Sequence, residues 1–379
     1  MESELPHDLI QEILLRLPVK SLVRFKCVRR SWHSHISDPH FAKSHYELSA
    51  APSHRLLHIT LSGTKARSID FDSSFHDAKV SFIPPLLKGR KGKLVPTLRI
   101  WGSCRGFVLI ERYPNLYIWN PLTGFRRHLS HCDIGKQHHY PAIVLLIGFG
   151  YDPSTDDYLI VVLWGKFHTI YDHDDMQTSL MLFSFRTNSW KEIQGLHVPS
   201  YYVKKQPFVF NDAIHWLALS ENKSDAVILA FDFVKKNFYE ISLPDGDFTD
   251  SLYFYNLVKM GECLGLCNLS DSKTVWVMKE YKVKSSWTMF EIPDYLSDVR
   301  IAIAGELVVL YHASVAELMK FNDKGELLEQ CKYYCNDMCG YRIATYTESL
   351  LSLPRNSDGS TETPQRKPFK RNRNMHKWL

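Results

Sequence analysis

No stretch of the sequence is apolar over a length that could cross a bilayer. The best run, Ala142 to Gly150, has about half of the residues that a membrane helix needs. The N-terminal residues MESELPHD also lack the charged and then apolar pattern of a secretory signal. We therefore expect no membrane partner and a cytoplasmic and/or nuclear location.

Cysteine is scarce, because the 379 residues include only eight, at positions 27, 104, 132, 263, 267, 331, 335 and 339. Thiols so few and so scattered do not make a disulfide scaffold, and free thiols are the expectation for a reducing compartment. The group at 331, 335 and 339 is spaced more widely than paired zinc ligands. His128, His131, His138 and His139 cluster in one segment but do not form a recognised zinc motif. The sequence predicts no metal site and no cofactor.

Net charge is absent from most of the chain. Residues 354–379 contain seven Lys or Arg and two acids, and residues 1–353 contain 39 of each sign, so the tail carries the whole net charge of +5. A neutral body argues against a nucleic-acid partner. The tail has the composition of a disordered basic segment, although RKPFKRNRNMHKW could also serve in nuclear import.

Catalytic motifs are missing as well. The sequence has no P-loop, no Gly-x-Ser-x-Gly, no His-Glu-x-x-His and no paired-carboxylate signature. The segment Gly148 to Pro153 lacks the third glycine and the following helix of a dinucleotide loop, so its glycines predict turns. We expect no enzyme, but scattered acids and histidines could still converge in three dimensions. An enzymatic alternative therefore stays open.

Apolar residues are abundant, by contrast, between Leu5 and Tyr46. They recur at spacings of three and four, with breaks at Pro18 and at Asp38-Pro39. Three helices are predicted, carrying the apolar residues of Leu9 to Leu17, Val19 to Phe25 and Cys27 to Ile36. The first helix would be apolar over more than half of its circumference, through Leu9, Ile10, Ile13, Leu14 and Leu17. So small a module cannot bury this surface internally, so it either binds a partner or caps the domain that follows.

The same stretch contains, in order, Leu5-Pro6, Asp8-Leu9, Glu12-Ile13-Leu14, Arg16 to Leu22, Arg24 to Val28, Ser31-Trp32 and Ile36 to Phe41. This order resembles the F-box of plant F-box proteins. The resemblance implies that the helices bind a Skp-type adaptor and, through it, a cullin scaffold of a ubiquitin ligase. It places adaptor binding on the following residues: Leu5, Pro6, Leu9, Ile10, Ile13, Leu14, Leu17, Pro18, Val19, Leu22, Val23, Cys27, Val28 and Trp32.

From Leu56 to Leu353 short apolar runs alternate with Gly, Pro, Asn and Asp, which predicts strands joined by turns. A weak repeat of strand, polar turn and strand recurs six times, with LYIWNPLTGFRRHL as one copy. Marker residues after its first strand are Asp72, Asn120, Arg186, Asp232, Met278 and Asn322, separated by 48, 66, 46, 46 and 44 residues. This period predicts a six-bladed β-propeller, closed by pairing of Tyr341 to Leu353 with the early strand RLLHITL. A pair of β-sandwiches is the alternative.

Recurring tryptophans in this region, Trp119, Trp190, Trp216, Trp276 and Trp287, predict a core between blades. Segments such as Gly102 to Gly106, Trp119 to Thr123, Gly148 to Pro153 and Tyr346 to Leu350 also resemble the kelch-like, type 1 F-box-associated domain of plant F-box proteins, a group that includes the S-locus type. No Gly-Gly pair occurs, so the resemblance is not to a true kelch repeat. The predicted architecture is α+β multidomain: a three-helix F-box at 1–46, an all-β propeller at 47–353 and a tail at 354–379.

The resemblance implies a non-catalytic, substrate-binding subunit of a Skp/cullin/F-box ligase, whose propeller holds a target protein for ubiquitination. A propeller enzyme or a non-ligase scaffold capped by the helices is the alternative. Loops carry specificity in a propeller because its strands are occupied in packing. The lengthened interval of the repeat contains two polar loops, Ser130 to Tyr140 and Lys166 to Gln177, and Asp245 to Tyr255 is a third candidate. We predict that the target contacts the following residues: His131, His138, His139, Tyr140, Asp172, Asp174 and Asp175.

Overall fold

The computed structural model describes most of the chain apart from its termini and a number of connections. The described residues are 6–48, 54–60, 66–70, 81–83, 98–112, 115–129, 142–167, 176–193, 202–203, 207–219, 225–246, 248, 252–260, 262–268, 274–291, 307–312, 315–321, 327–334 and 341–354. The basic tail from residue 355 onward lies outside them. In the described parts no helix is both long and apolar enough to cross a membrane.

Four short helices form the N-terminal module: α1 (His7–Leu15), α2 (Val19–Phe25), α3 (Arg30–Ile36) and α4 (Pro39–Leu48). Pro6 and Pro18 are the N-cap residues of α1 and α2, and Asp8 lies in the positive first turn of α1. The buried core of the module includes Leu14, Leu22 and Ile36.

The prediction of three helices is wrong, because Asp38-Pro39 begins a helix as well as ending one. Oδ1 of Asp38 accepts hydrogen bonds from the backbone N–H of His40 (2.7 Å) and of Phe41 (3.2 Å). A carboxylate in this position satisfies N–H groups that a helix start leaves without partners. Phe41, Ala42 and His45 of α4 then pack into the core of the module.

The rest of the described chain forms six antiparallel sheets, five of which have four or five strands. The first sheet contains β1 (His54–Thr60), β2 (Ala66–Asp70) and β3 (Ser81–Ile83). The second contains β4 (Leu98–Cys104), β5 (Phe107–Arg112), β6 (Asn115–Trp119) and β7 (Arg126–Leu129). The third contains β8 (Ala142–Asp152), β9 (Asp157–Phe167), β10 (Met176–Ser184) and β11 (Ser189–Ile193). Each is a meander of strands that follow one another in sequence, as in propeller blades.

In the fourth sheet two short strands pair with the same neighbour, β14. Its strands are β12 (Tyr202–Val203), β13 (Phe208–Phe210), β14 (Ala213–Leu219), β15 (Ala226–Asp232) and β16 (Asn237–Ser242). The fifth sheet contains β17 (Tyr255–Met260), β18 (Cys263–Asn268), β19 (Thr274–Met278) and β20 (Trp287–Glu291). The sixth contains β21 (Leu307–His312), β22 (Val315–Phe321) and β23 (Leu327–Tyr334). Leu252–Phe254 and Lys284–Ser286 are single 3₁₀ turns.

The predicted repeat is the hairpin made by the last two strands of a sheet. LYIWNPLTGFRRHL, for example, is the hairpin of β6 and β7. A repeat made of the last two strands does not show how many strands precede them in the same sheet. Within the described residues, β21, β22 and β23 form a sheet of only three strands. Complete blades of four or more strands therefore number five among the described residues, where the sequence predicted six.

Closure of the propeller agrees with the prediction. The last strand, β24 (Tyr341–Thr347), pairs with β1 in antiparallel register, with Leu57 opposite Ala344 and Arg55 opposite Tyr346. The first sheet therefore has the order β24, β1, β2, β3, and the first and last described strands of the propeller meet in one blade.

The tryptophans lie in the core as predicted. Trp119, Trp216 and Trp287 are buried in apolar clusters, and Trp190 and Trp276 are partly buried against clusters of the same kind. Gly148 and Gly150 lie in β8, not in a turn, and a Cβ at Gly150 would be 2.0 Å from a ring carbon of Phe233. The glycines let a neighbouring sheet approach, so their predicted role as turn formers is wrong. Packing of successive sheets in this way excludes the alternative of two sandwiches.

Candidate functional site

Two large aliphatic side chains on α1 are exposed to solvent. Leu9 is 51% exposed and Ile13 is 49% exposed. Residues four apart lie one above the other on a helix, so the two form one outward face. Val28, in the turn after α2, is 66% exposed. We refer to Leu9, Ile13 and Val28 as the outer apolar residues.

The opposite side of the helical module packs on the propeller. Leu350, in the segment that follows β24, is buried in the same apolar cluster as Leu14 and Leu22. Leu351 and Leu122, which precedes β7, pack against this cluster. The module is therefore a cap on the propeller, and it still leaves the outer apolar residues uncovered. The helical module can therefore both cap the propeller and present an apolar face to a partner, so the two alternatives that the sequence left open are compatible.

The structure divides the predicted adaptor-binding residues into three groups, and Leu5 lies outside the described part of the chain. The exposed group comprises Pro6, Leu9, Ile13, Pro18, Cys27 and Val28. The partly buried group comprises Ile10, Leu17, Val23 and Trp32. The buried group comprises Leu14, Val19 and Leu22. Side chains of the last group fill the core of the module, so their placement on a binding face needs correction.

The ends of the propeller differ in how the strands are connected. In the sheets from β4 to β20, the end that faces the helical module has tight turns, such as Arg105-Gly106 and Asn211-Asp212. Every described non-glycine residue with positive φ lies in one of these turns: Arg105, Asp156, Asn188, Asn211, Asp212, Lys236 and Lys282. We call this end the helical end.

Hydrogen bonds join the turns of neighbouring sheets at the helical end. Nζ of Lys236 donates to Oδ2 of Asp152 at 2.6 Å, and Nδ2 of Asn120 donates to the carbonyl of Ser349 at 3.0 Å. The bond from lysine and those from the hydroxyls of Ser154 and Thr155 lower the pKa of Asp152 to about 2, against the opposing effect of its burial. Asp152 therefore stays charged and keeps the two sheets joined at physiological pH.

The predicted target loops connect strand ends at the opposite end. β7 ends at Leu129 and β8 begins at Ala142, while β9 ends at Phe167 and β10 begins at Met176. Their residues His131, His138, His139, Tyr140, Asp172, Asp174 and Asp175 lie outside the described part of the chain. The antiparallel strands nevertheless show that both connections leave from the end of the propeller that is remote from the helices.

A buried polar group at the closing strand was missed from the sequence. Nε of Arg55 lies 3.1 Å from Oε1 of Glu348 and 2.6 Å from Oγ of Ser68, which is 2.8 Å from the hydroxyl of Tyr346. An arginine within the apolar run RLLHITL was the available signal. Elsewhere, the described cysteines 27, 104, 263 and 267 are free thiols. The described residues contain no group of three or more His, Cys, Asp or Glu that could hold a metal ion.

Comparison with known proteins assigns both parts of the chain. Residues 3–44 match the F-box domain, and residues 57–350 match the F-box associated beta propeller domain. An F-box/kelch-repeat protein of Arabidopsis thaliana is 31% identical over 328 residues, which cover 81% of this chain and 84% of the relative. The F-box protein CPR1 of Arabidopsis thaliana is 27% identical and covers 76% of this chain and 72% of its own length.

Among solved structures, the Dos1 propeller is 11% identical, covers 79% of each chain and has a TM-score of 0.39. The chain is an F-box protein of the family that carries an F-box-associated β-propeller domain.

Proposed function

We propose that this protein is the target-binding subunit of a Skp/cullin/F-box ubiquitin ligase. The observation that carries the proposal is the exposed apolar face of Leu9 and Ile13 on an F-box helix whose other side is already packed on the propeller. Exposed apolar surface of this kind marks a contact with another protein. The occupant that the F-box supports is a Skp-type adaptor, which connects the chain to a cullin scaffold.

In this proposal the protein contributes binding and other subunits contribute the chemistry. Holding a target beside a ubiquitin-loaded enzyme raises the effective concentration of its lysines, which accelerates transfer without a catalytic residue in this chain. The protein acts in the cytoplasm and/or nucleus, where such ligases assemble.

Replacing Ile13 with aspartate tests adaptor binding, and Leu9→Asp is a second variant of the same face. Each places a charge on a surface that becomes desolvated in the complex, so we expect adaptor binding to fall below detection. Both positions are half-exposed in the free protein, so the thermal melting curve should not change. Co-purification of the adaptor and calorimetric melting measure the two quantities.

Gln11→Asp is the matched control, because Gln11 is exposed on the same helix but lies away from Leu9 and Ile13. It adds the same charge and should retain the adaptor. Normal adaptor binding by both Leu9→Asp and Ile13→Asp would remove the outer apolar residues from the interface.

We also propose that the target binds at the end of the propeller opposite to the helical end. The support is topological: the longer connections, including residues 130–141 and 168–175, start and finish there. Helices occupy part of the helical end, and tight turns leave its backbone little freedom to vary. An adaptor and a target can therefore be bound at the same time without competing for one surface.

Replacement of residues 130–140 and 168–175 by short Gly/Ser linkers tests the position of the target site. We expect the double replacement to lose target capture while adaptor binding and melting temperature persist, since neither segment contributes a described strand. Proteins that accumulate when Ile13→Asp replaces the wild-type chain define the target set. Capture of this set by the double replacement would place recognition elsewhere on the propeller.

A further inference from the structure

The contact between the F-box helices and the propeller has a polar part as well as an apolar one. The apolar part, around Leu350 and Leu122, provides attraction that does not depend strongly on orientation. The polar part consists of Lys43 and Tyr46 on α4, and of Arg105, Tyr151 and Asp156 on the tight turns and strands of the propeller. We call these five residues the junction.

Arg105 is at the centre of the junction. Its guanidinium carbon lies 4.8 Å from the ring centroid of Tyr46 and 3.8 Å from that of Tyr151, so one cation contacts an aromatic ring from each domain. Arginine binds aromatic faces through its planar charged group, and such contacts strengthen as water is excluded. Arg105 is partly buried, and its Nε has no hydrogen-bond partner among the described residues. The guanidinium thus contacts one ring of the helical module and one of the propeller.

The backbone presents Arg105 in one direction. Its φ is +48°, in the left-handed region, within the two-residue turn between β4 and β5. The next residue, Gly106, has no space for a side chain, because a Cβ there would be 2.3 Å from Cβ of Ser349. The turn is thus packed against the segment that also carries Leu350, and Arg105 cannot move independently of it.

A second pair of charges holds the other side of the junction. Asp156 lies 3.7 Å from Nζ of Lys43 and 3.8 Å from Arg186, and it accepts a hydrogen bond from the hydroxyl of Tyr151. Lys43 and Tyr46 are three residues apart on α4 and face the same way. Burial raises the pKa of Tyr46, and burial followed by the bond to Asp156 raises the pKa of Tyr151 to about 12. Both phenols are neutral at physiological pH and keep their rings available to the cation.

We infer that Arg105 is a positioning residue, which fixes the orientation of the F-box helices on the propeller by joining Tyr46 to Tyr151. The apolar cluster keeps the domains together, while the stacked cation selects one orientation among those that the cluster allows. The consequence for ubiquitin transfer, that a target is held at a constant place relative to the adaptor, rests on the proposed function. The orientation itself does not.

The experiment measures the distance between the two domains in the full chain. Non-canonical amino acids that accept a spin label by click chemistry replace Ser34 of α3 and Lys235, which are both exposed. Pulsed dipolar spectroscopy then measures the distance between the two labels. We expect one narrow distance peak for the wild-type chain and loss of that peak in Arg105→Ala, with an unchanged melting temperature. Arg105→Lys keeps the charge but loses the planar group that stacks on the rings, so its peak should be broader than that of the wild-type chain.

Lys279→Ala is the matched control, since it removes an exposed cation from the same end of the propeller at a turn remote from the described helix contacts. It should leave the peak intact. A narrow peak in Arg105→Ala would overturn the inference. Because the distance is measured without adaptor, this result is independent of whether Ile13→Asp loses adaptor binding.

Discussion

Replacing Glu348 with alanine is expected to lower the free energy of unfolding by about 3–5 kcal/mol, the usual effect of breaking a buried ion pair by removing one partner. The side chains of Glu348 and Arg55 are 6% and 2% exposed, and their nearest charged atoms are 3.1 Å apart. Without the carboxylate, the guanidinium of Arg55 stays buried beneath the closing strand. Chemical denaturation followed by circular dichroism measures the loss.

Glu262→Ala is the control for this prediction, because Glu262 is also paired with a lysine but its side chain is 92% exposed. It should unfold at the same denaturant concentration as the wild-type chain, as surface ion pairs contribute little. Replacing Arg55 and Glu348 together by leucine should recover most of the stability. A Glu348→Ala variant as stable as wild type would show that the pair does not hold the closing strand.

Replacing Leu14 with aspartate should unfold the F-box helices and leave the propeller folded. Leu14 is 2% exposed and packs with Leu22 and Ile36. Truncation of a buried leucine to alanine already costs about 2–5 kcal/mol, and an unpaired carboxylate costs more. Hydrogen exchange should show lost protection in α1 to α4 and retained protection in β8 to β10.

This variant would also lose the adaptor, but for a different reason from Ile13→Asp. In Leu14→Asp the binding module is unfolded, whereas in Ile13→Asp it is folded and carries a charge on its face. Native protection of the helices in Leu14→Asp would contradict the core position of Leu14. It would return that residue to the candidate binding face where the sequence pattern placed it.

The sequence predicts local features of this fold well, because they depend on residues close together in the chain. The break at Pro18 and the hairpin of β6 and β7 agree with the structure. The pairing of β24 with β1 also agrees, although it joins distant residues, because it was inferred from closure of the repeat and not from a local pattern. Asp38-Pro39 was misinterpreted because the same dipeptide signals the end of one helix and the start of another. The choice between these depends on whether Phe41 and His45 find a core, which is a tertiary property.

The functional surfaces were predicted less completely, for the same reason. A helix pattern shows that Leu9, Ile13 and Leu14 are apolar, but not which of them the neighbouring helices cover. Arg105 contacts Tyr46, which is 59 positions away, so no local pattern reveals their pairing. The dipeptide Arg105-Gly106 between two apolar strands predicts a turn, but it does not predict which residue Arg105 contacts.

Pairing between β24 and β1 affects the order in which the protein can be completed on the ribosome. β1 ends at Thr60, but its inner neighbour is not synthesised until Tyr341–Thr347, so the first blade waits for nearly the whole propeller to be translated. Domains made early generally fold early. A nascent chain can thus present the F-box helices before Leu350 exists to cover them. The helices therefore gain their apolar contact with the propeller only after the closing strand has been made.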